Sequence, residues 1–176
     1  INLYSYGGHV EAGLEIARIV SDFEIDTEIS KECSSACVPI FLAGQNRVLN
    51  KGALIGFHRP NWQQDSMERY YDAKKEDFGW NTPFEFSNWV QKDTFEVATQ
   101  LYDRFSQAGV APEFISQAFK YDIEQMWYPS RTELMNFGVV NLVELAAMRP
   151  PTRPTNIKKI EAVFQEVQIS QLEQTE

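Results

Sequence analysis

The sequence predicts an α/β fold made of βαβ units joined by crossover connections. Three observations lead there. Short β-prone runs alternate along the chain with stretches whose apolar residues recur three and four apart. Glycine or proline marks many of the junctions between them. With 176 residues, 43% of them hydrophobic and 13% aromatic, the chain can bury one substantial core, and its length favours a single domain.

Residues 1–5 read as a strand, broken by Gly7-Gly8. Val10, Leu14, Ile16, Ala17, Val20 and Phe23 then fall on a helical repeat. Ile25 to Ser30 is a short β-prone run, and Ala36 to Gly44 reads as a buried helix stopped by Gly44, with Pro39 tolerated in its first turn. Arg47–Leu49 and Ala53–Phe57 read as strands separated by Asn50-Lys51-Gly52, and Arg59-Pro60 ends the second.

From Asn61 to Pro83 the chain is polar and aromatic, which suits a mobile loop, an oligomer contact or a substrate-binding lid. Residues 87–107 form a long amphipathic pattern closed by Ala108-Gly109, and a helix follows from Pro112 to about Tyr121. Thr132–Phe137 reads as a short helix capped by Gly138, and Val139–Val143 as a closing strand. The domain expected over residues 1–148 is followed by a proline-rich linker at 149–154 and an amphipathic C-terminal helix within 155–176. The polar face of that helix is mainly Glu and Gln, so docking or oligomer contact is expected of it before membrane binding.

Charge and cysteine usage narrow the function classes. Sixteen Lys and Arg against 25 Asp and Glu leave a net charge of −9, which argues against nucleic-acid or anionic-membrane binding. There is no apolar run long enough to span a bilayer and no segment like a signal peptide. The chain opens on Ile-Asn-Leu-Tyr as a strand already in progress, which predicts an upstream part outside this numbering, with any targeting segment in it. Two Cys and two His make a poor zinc set. No metal or cofactor is expected.

Three segments carry chemistry: Ser5-Tyr6-Gly7-Gly8-His9, Cys33-Ser34-Ser35-Ala36-Cys37 and Phe57-His58-Arg59-Pro60. A glycine pair able to turn N–H groups toward an oxyanion, a serine at a strand-to-helix turn and a histidine at a strand end are the parts of an acyl-transfer site. Each has a plainer use: Gly-Gly as backbone punctuation, serine as a helix cap, histidine as a core residue. Lys31 and Lys51 raise a serine–lysine dyad as a further arrangement, though a lysine base needs deep burial. Cys33 and Cys37 straddle Ser35, either bridged in an oxidising compartment or packed as reduced side chains.

With Asn136-Phe137-Gly138-Val139-Val140 added, these motifs in this order resemble the Clp protease proteolytic subunit and its exported, Clp-like relatives in the Clp/crotonase superfamily. The resemblance runs from residue 1 to about 145. Ser5-Tyr6-Gly7-Gly8 stands for the family's Ser-Pro-Gly-Gly loop, Ser34-Ser35-Ala36 for its Ala-Ser-Met turn, and Ile55 to Pro60 for its strand ending in His-x-Pro. The resemblance implies a spiral of βαβ units with a helical extension and an appended C-terminal helix.

It also implies a serine endopeptidase working through an acyl-enzyme, with Ser35 as nucleophile, His58 as general base and the backbone N–H groups of Gly8 and Ala36 as oxyanion hole. Ser34 competes with Ser35, and the Ser35-Ala36 match picks the latter. Gly7 and His9 are expected beside the substrate, although a solvent-facing helix start is the plainer reading of His9. For the third triad member, aligning backward from Asn136 reaches Met126, whereas aligning forward from Ile115 reaches Asp122. Asp122 is the choice and Glu124 the second.

The resemblance further implies a polypeptide substrate, a homo-oligomer, no nucleic acid, and partners near a membrane whose identity the sequence does not carry. The Cys-Ser-Ser-Ala-Cys variant points to a periplasmic or membrane-associated bacterial protein, with a cytoplasmic one as the alternative. Two rival classes stand beside the peptidase: an inactive oligomeric scaffold and a crotonase-type acyl-CoA enzyme.

Overall fold

The structure, a computed structural model, describes residues 1–141. The chain divides into Ile1–Leu145 and Ala146–Glu176. The expected linker at 149–154, the C-terminal helix and the last part of the closing strand lie outside the described residues.

Strand β1 (Asn2–Ser5) leads through the Gly7-Gly8 turn into helix α1 (Val10–Asp22), which buries Leu14, Ala17 and Val20. Strand β2 (Thr27–Ser34) is the longest and the centre of a parallel sheet. On one edge it pairs with β1, Leu3 opposite Ile29 and Ser5 opposite Cys33, with an irregularity between. On the other it pairs first with β3 (Arg47–Leu49) along Thr27–Ile29 and then with β4 (Leu54–Gly56) along Glu32–Ser34. Strands β3 and β4 therefore queue end to end along one edge. The C-terminal ends of β1, β2 and β4 meet at one end of the sheet, where open α/β sheets hold their ligands.

Helix α2 (Cys37–Leu42) follows β2 directly and sends Val38, Phe41 and Leu42 into a core shared with Ile29, Leu49, Ile55, Phe114, Ile115 and Leu134. Helix α3 (Gln64–Phe78) occupies the segment for which a loop, contact or lid was expected. Gly79 caps it with φ +67°, and the ion pairs Lys74–Asp77 and Lys75–Asp72 brace its last turns. It has no fully buried residue; an aromatic cluster of Trp62, Tyr70, Tyr71, Phe78, Trp80, Phe86 and Trp89 joins it to the next helix.

Helix α4 (Pro83–Gln107) has 25 residues, about 37 Å, and starts earlier than the apolar repeat alone predicts. A reciprocal cap between Thr82 and Glu85, with Pro83 at the first position, sets that start. Helices α5 (Pro112–Ala118) and α6 (Arg131–Asn136) flank a single tight helical turn at Ile123–Gln125.

Val139–Asn141 do not form the expected strand. Side chains replace the ladder there: the Arg47 backbone N–H donates to Asn141 Oδ1 at 2.7 Å, and the Arg47 guanidinium donates to the Val139, Gly138, Ala108 and Gly44 carbonyls. Val139 and Val140 are buried by this arrangement without strand pairing.

Candidate active site

The site is assembled by sheet register. Ser34 of β2 lies opposite Gly56 of β4, and the next backbone N–H, that of Ser35, donates to the Gly56 carbonyl at 3.1 Å. The chain then turns sharply: Ser35 adopts φ +56°, a left-handed conformation that costs a non-glycine residue about 1–2 kcal/mol. That turn swings the Ser35 hydroxyl away from the sheet. Two residues past β4, His58 is aimed back at it by an antiparallel bridge, in which Phe57 and Trp127 exchange N–H to carbonyl bonds of 2.9 Å.

His58 Nε2 stands 2.7 Å from Ser35 Oγ, and His58 Nδ1 stands 2.7 Å from the Arg59 carbonyl oxygen. A carbonyl can only accept, so Nδ1 carries the proton and donates it there. In the neutral ring Nε2 then holds the free lone pair, and Ser35 Oγ–H donates to it. This is the tautomer a general base for serine requires.

Asp122 lies elsewhere. Its Oδ1 is 2.6 Å from Arg59 Nη2 in a half-exposed ion pair, and the Arg59 backbone N–H donates to the Tyr121 carbonyl at 2.9 Å. Both ring nitrogens of His58 are thus engaged without a carboxylate. Glu124 is exposed, and Met126 packs its sulfur over Gly56. The physical reason is competition: the guanidinium next in sequence to the imidazole offers Asp122 a full charge.

The other predicted residues separate cleanly. Ser34 is buried and donates to Glu32 Oε1 at 2.8 Å, as does the Tyr128 hydroxyl, so its hydroxyl faces away from His58's bond. The Glu32 carboxylate and burial both push the Tyr128 phenol up, burial more strongly. Gly7 (φ +106°) donates from its N–H to Ser5 Oγ at 3.2 Å and packs on the nucleophile turn: a Cβ there would stand 2.6 Å from Ser35 Cβ. Gly13 of α1 permits a similar approach to the Ala36 carbonyl.

Gly8 and Ala36 border the same cavity as Ser35 and His58, and among the described residues neither backbone N–H has a hydrogen-bond acceptor. His9 is exposed at the cavity rim, with Nδ1 3.8 Å from Glu11. Lys31 sits over the Tyr4 ring and Lys51 is exposed; neither approaches Ser35.

Cys33 and Cys37 form a disulfide, with Cα atoms 5.3 Å apart, that spans the nucleophile turn from β2 to α2. Both are buried.

The cavity encloses about 350 Å³. Its walls come from α2, α4, α5 and the start of α3, including Val38, Pro39, Val97, Leu101 and Phe105. A substrate-binding lid was one of three readings of residues 61–83, but the helix there and the contact that closes the rim were not foreseen. Trp62 reaches across from the start of α3, and its indole N–H donates to Asp93 Oδ2 of α4 at 2.8 Å. The signal that could have found it is the helical spacing of Met67, Tyr70, Lys74 and Phe78 ahead of Gly79. Among the described residues no group of three or more His, Cys, Asp or Glu converges as for a metal, and no helix is long and apolar enough to cross a membrane.

Neither a protein-family model nor a curated protein matches this chain. Among solved structures, a ClpP1 point mutant from Listeria monocytogenes superposes with a TM-score of 0.51 at 21% identity, over 80% of this chain and 69% of that one. At that identity the likeness shows the fold alone: an α/β arrangement of parallel strands and helices resembling the ClpP-like architecture.

Proposed function

We propose that the chain is a serine hydrolase of the Clp-like endopeptidase type, acting on polypeptides through an acyl-enzyme. The observation that carries this reading is the 2.7 Å contact of His58 Nε2 with Ser35 Oγ in the tautomer fixed by the Arg59 carbonyl. Ser35 Oγ attacks the peptide carbonyl as His58 Nε2 takes its proton, and the Gly8 and Ala36 N–H groups receive the oxyanion. His58 returns the proton to the leaving amine. Water then attacks the ester, gives its proton to Nε2, and frees Ser35 and the acid product.

In this scheme the Arg59 carbonyl orients the imidazole. Asp122 is a positioning residue that acts through Arg59. Two further observations support the wider reading. A buried disulfide suits an oxidising, exported setting. Phe84, Phe95 and Tyr102 stand exposed at positions that return to one face of α4, a surface suited to contact with a second copy.

The inactive scaffold draws support from one feature, the pairing of Asp122 with Arg59 instead of His58. A fluorophosphonate probe separates the two. Intact mass of the wild type, Ser35→Ala and His58→Ala after labelling is expected to show one adduct on the wild type only. No adduct on folded wild type would overturn the hydrolase reading.

A further inference from the structure

The cavity beside Ser35 has a consistent chemistry. Its inner wall is made of buried apolar side chains, Val38, Pro39, Val97, Leu101 and Phe105. Among the described residues no lysine or arginine lines it. Its two carboxylates are Glu11 and Asp93, and Asp93 is held by the Trp62 indole at 2.8 Å. An anionic occupant, whether a free carboxylate or the phosphates of a CoA carrier, would find no lysine or arginine to pair with and two like charges. The occupant the walls fit is neutral and apolar.

The base has a chemistry of its own. When Ser35 attacks, His58 becomes positively charged, and its Nδ1–H faces a carbonyl dipole instead of a carboxylate. The cation formed in the transition state is less stabilised than in a Ser-His-Asp arrangement, so less of the barrier to attack is removed. Such a dyad favours an acyl carbon more electrophilic than that of an amide, whose resonance deactivates it. An ester meets that need, and its alkoxide leaves more readily than an amide nitrogen.

We infer that this site also hydrolyses carboxylic esters of uncharged alcohols, with a neutral apolar acyl chain seated in the cavity between α2 and α4. The inference rests on the Ser35–His58 machinery of the reading above but not on a peptide substrate. Ser35 Oγ bonds to the ester carbon while its proton passes to His58 Nε2. The carbon–oxygen bond to the alcohol breaks, and the proton goes to the departing alkoxide. Water adds to the acyl-enzyme, loses a proton to Nε2 and displaces Ser35, which recovers that proton as the acid is released. No oxidation or reduction occurs.

The test uses the full chain with p-nitrophenyl acetate, butyrate and octanoate, p-nitrophenyl hydrogen suberate, and octanoyl-CoA. Each added methylene in an apolar pocket can be worth roughly tenfold in kcat/KM, so octanoate is expected to exceed acetate by at least about tenfold. The suberate ester, the same length with a terminal carboxylate, is expected to fall back to or below acetate. Octanoyl-CoA is expected to show only the Ser35→Ala background, and all Ser35-dependent ester turnover is lost in that variant. Val97→Phe, which fills the cavity, is expected to lower the octanoate-to-acetate ratio; the wild-type profile tests the inference even where that variant fails to fold.

A flat chain-length profile, or equal use of suberate and octanoate, overturns the inference. If fluorophosphonate still labels Ser35 in that case, the hydrolase reading stands. Ester turnover with the expected profile but no peptide cleavage overturns the peptidase reading and leaves the inference in place. Neither labelling nor turnover overturns both.

Discussion

Removing the disulfide at the nucleophile turn should slow the site more than it unfolds the protein. The perturbation is Cys33→Ala with Cys37→Ala, a small apolar replacement at two buried positions. The two cysteines are separated by 4 in sequence, and closing a loop of about five residues removes about 7 cal/mol/K from the unfolded chain, or about 2 kcal/mol at 25 °C. For a domain of this size that is a melting shift of about 4–8 °C. The local effect is sharper. Cys33 is also held by its ladder partners Ser5 and Ile55, and Cys37 by the α2 core, so loosening concentrates on Ser34, Ser35 and Ala36. Ser35 at φ +56° then relaxes by about 1–2 kcal/mol, a five- to thirtyfold loss of the competent turn. Fluorophosphonate labelling rates alongside thermal melts read both effects. A double variant that melts lower yet labels at the wild-type rate would refute the claim that the bridge holds the turn. One unchanged in both would refute the constraint altogether.

Three other outcomes follow from the same geometry. Asp122→Asn should leave labelling of Ser35 within about tenfold of wild type, because the Arg59 carbonyl orients His58; a direct carboxylate partner would cost on the order of 10⁴. Gly7→Ala, with its Cβ forced to 2.6 Å from Ser35 Cβ at φ +106°, should displace the nucleophile by a fraction of an ångström to 1 Å and lower kcat by up to about 100-fold, measured on any substrate the wild type turns over. Arg47→Met should destabilise by roughly 3 kcal/mol or more in urea titration, since several carbonyls, among them those of Val139 and Gly138, lose a charged donor.

What the sequence carried and what it did not have separate physical causes. Strands β1 to β4 and helices α1, α2, α4, α5 and α6 were legible because their apolar residues repeat at strand or helix period between glycine and proline breaks. Strand β2 nevertheless runs on to Ser34, past the expected Ser30, and the closing strand expected from Val139 does not form over the described residues 139–141. Ser35 and His58 were legible as motif members, and the structure brings their side chains into contact. Helix α3 was not legible, because it buries no aliphatic face and is held by aromatic rings and exposed ion pairs. The orienting group on His58 was not legible either. It is a backbone carbonyl, which every residue has and no motif records. Asp122 drew attention as the nearest carboxylate by alignment, yet its pairing depends on where Arg59 points, a matter of three-dimensional competition.

The end-to-end queue of β3 and β4 along β2 has a cost in tolerance. Ser35 and His58 follow the ends of different strands, and the last ladder positions of β2 and β4 set their alignment. A strand advances about 3.3 Å per residue, so a slip of one position would carry the imidazole a full hydrogen-bond length off its serine and turn it to the opposite face. Strand β4 has three residues with which to resist that slip. Ile55 within it and Phe57 just past it, both buried, therefore act as the gauge that keeps two reacting atoms in step, and a change of volume at either should be felt first as lost turnover and only later as lost stability.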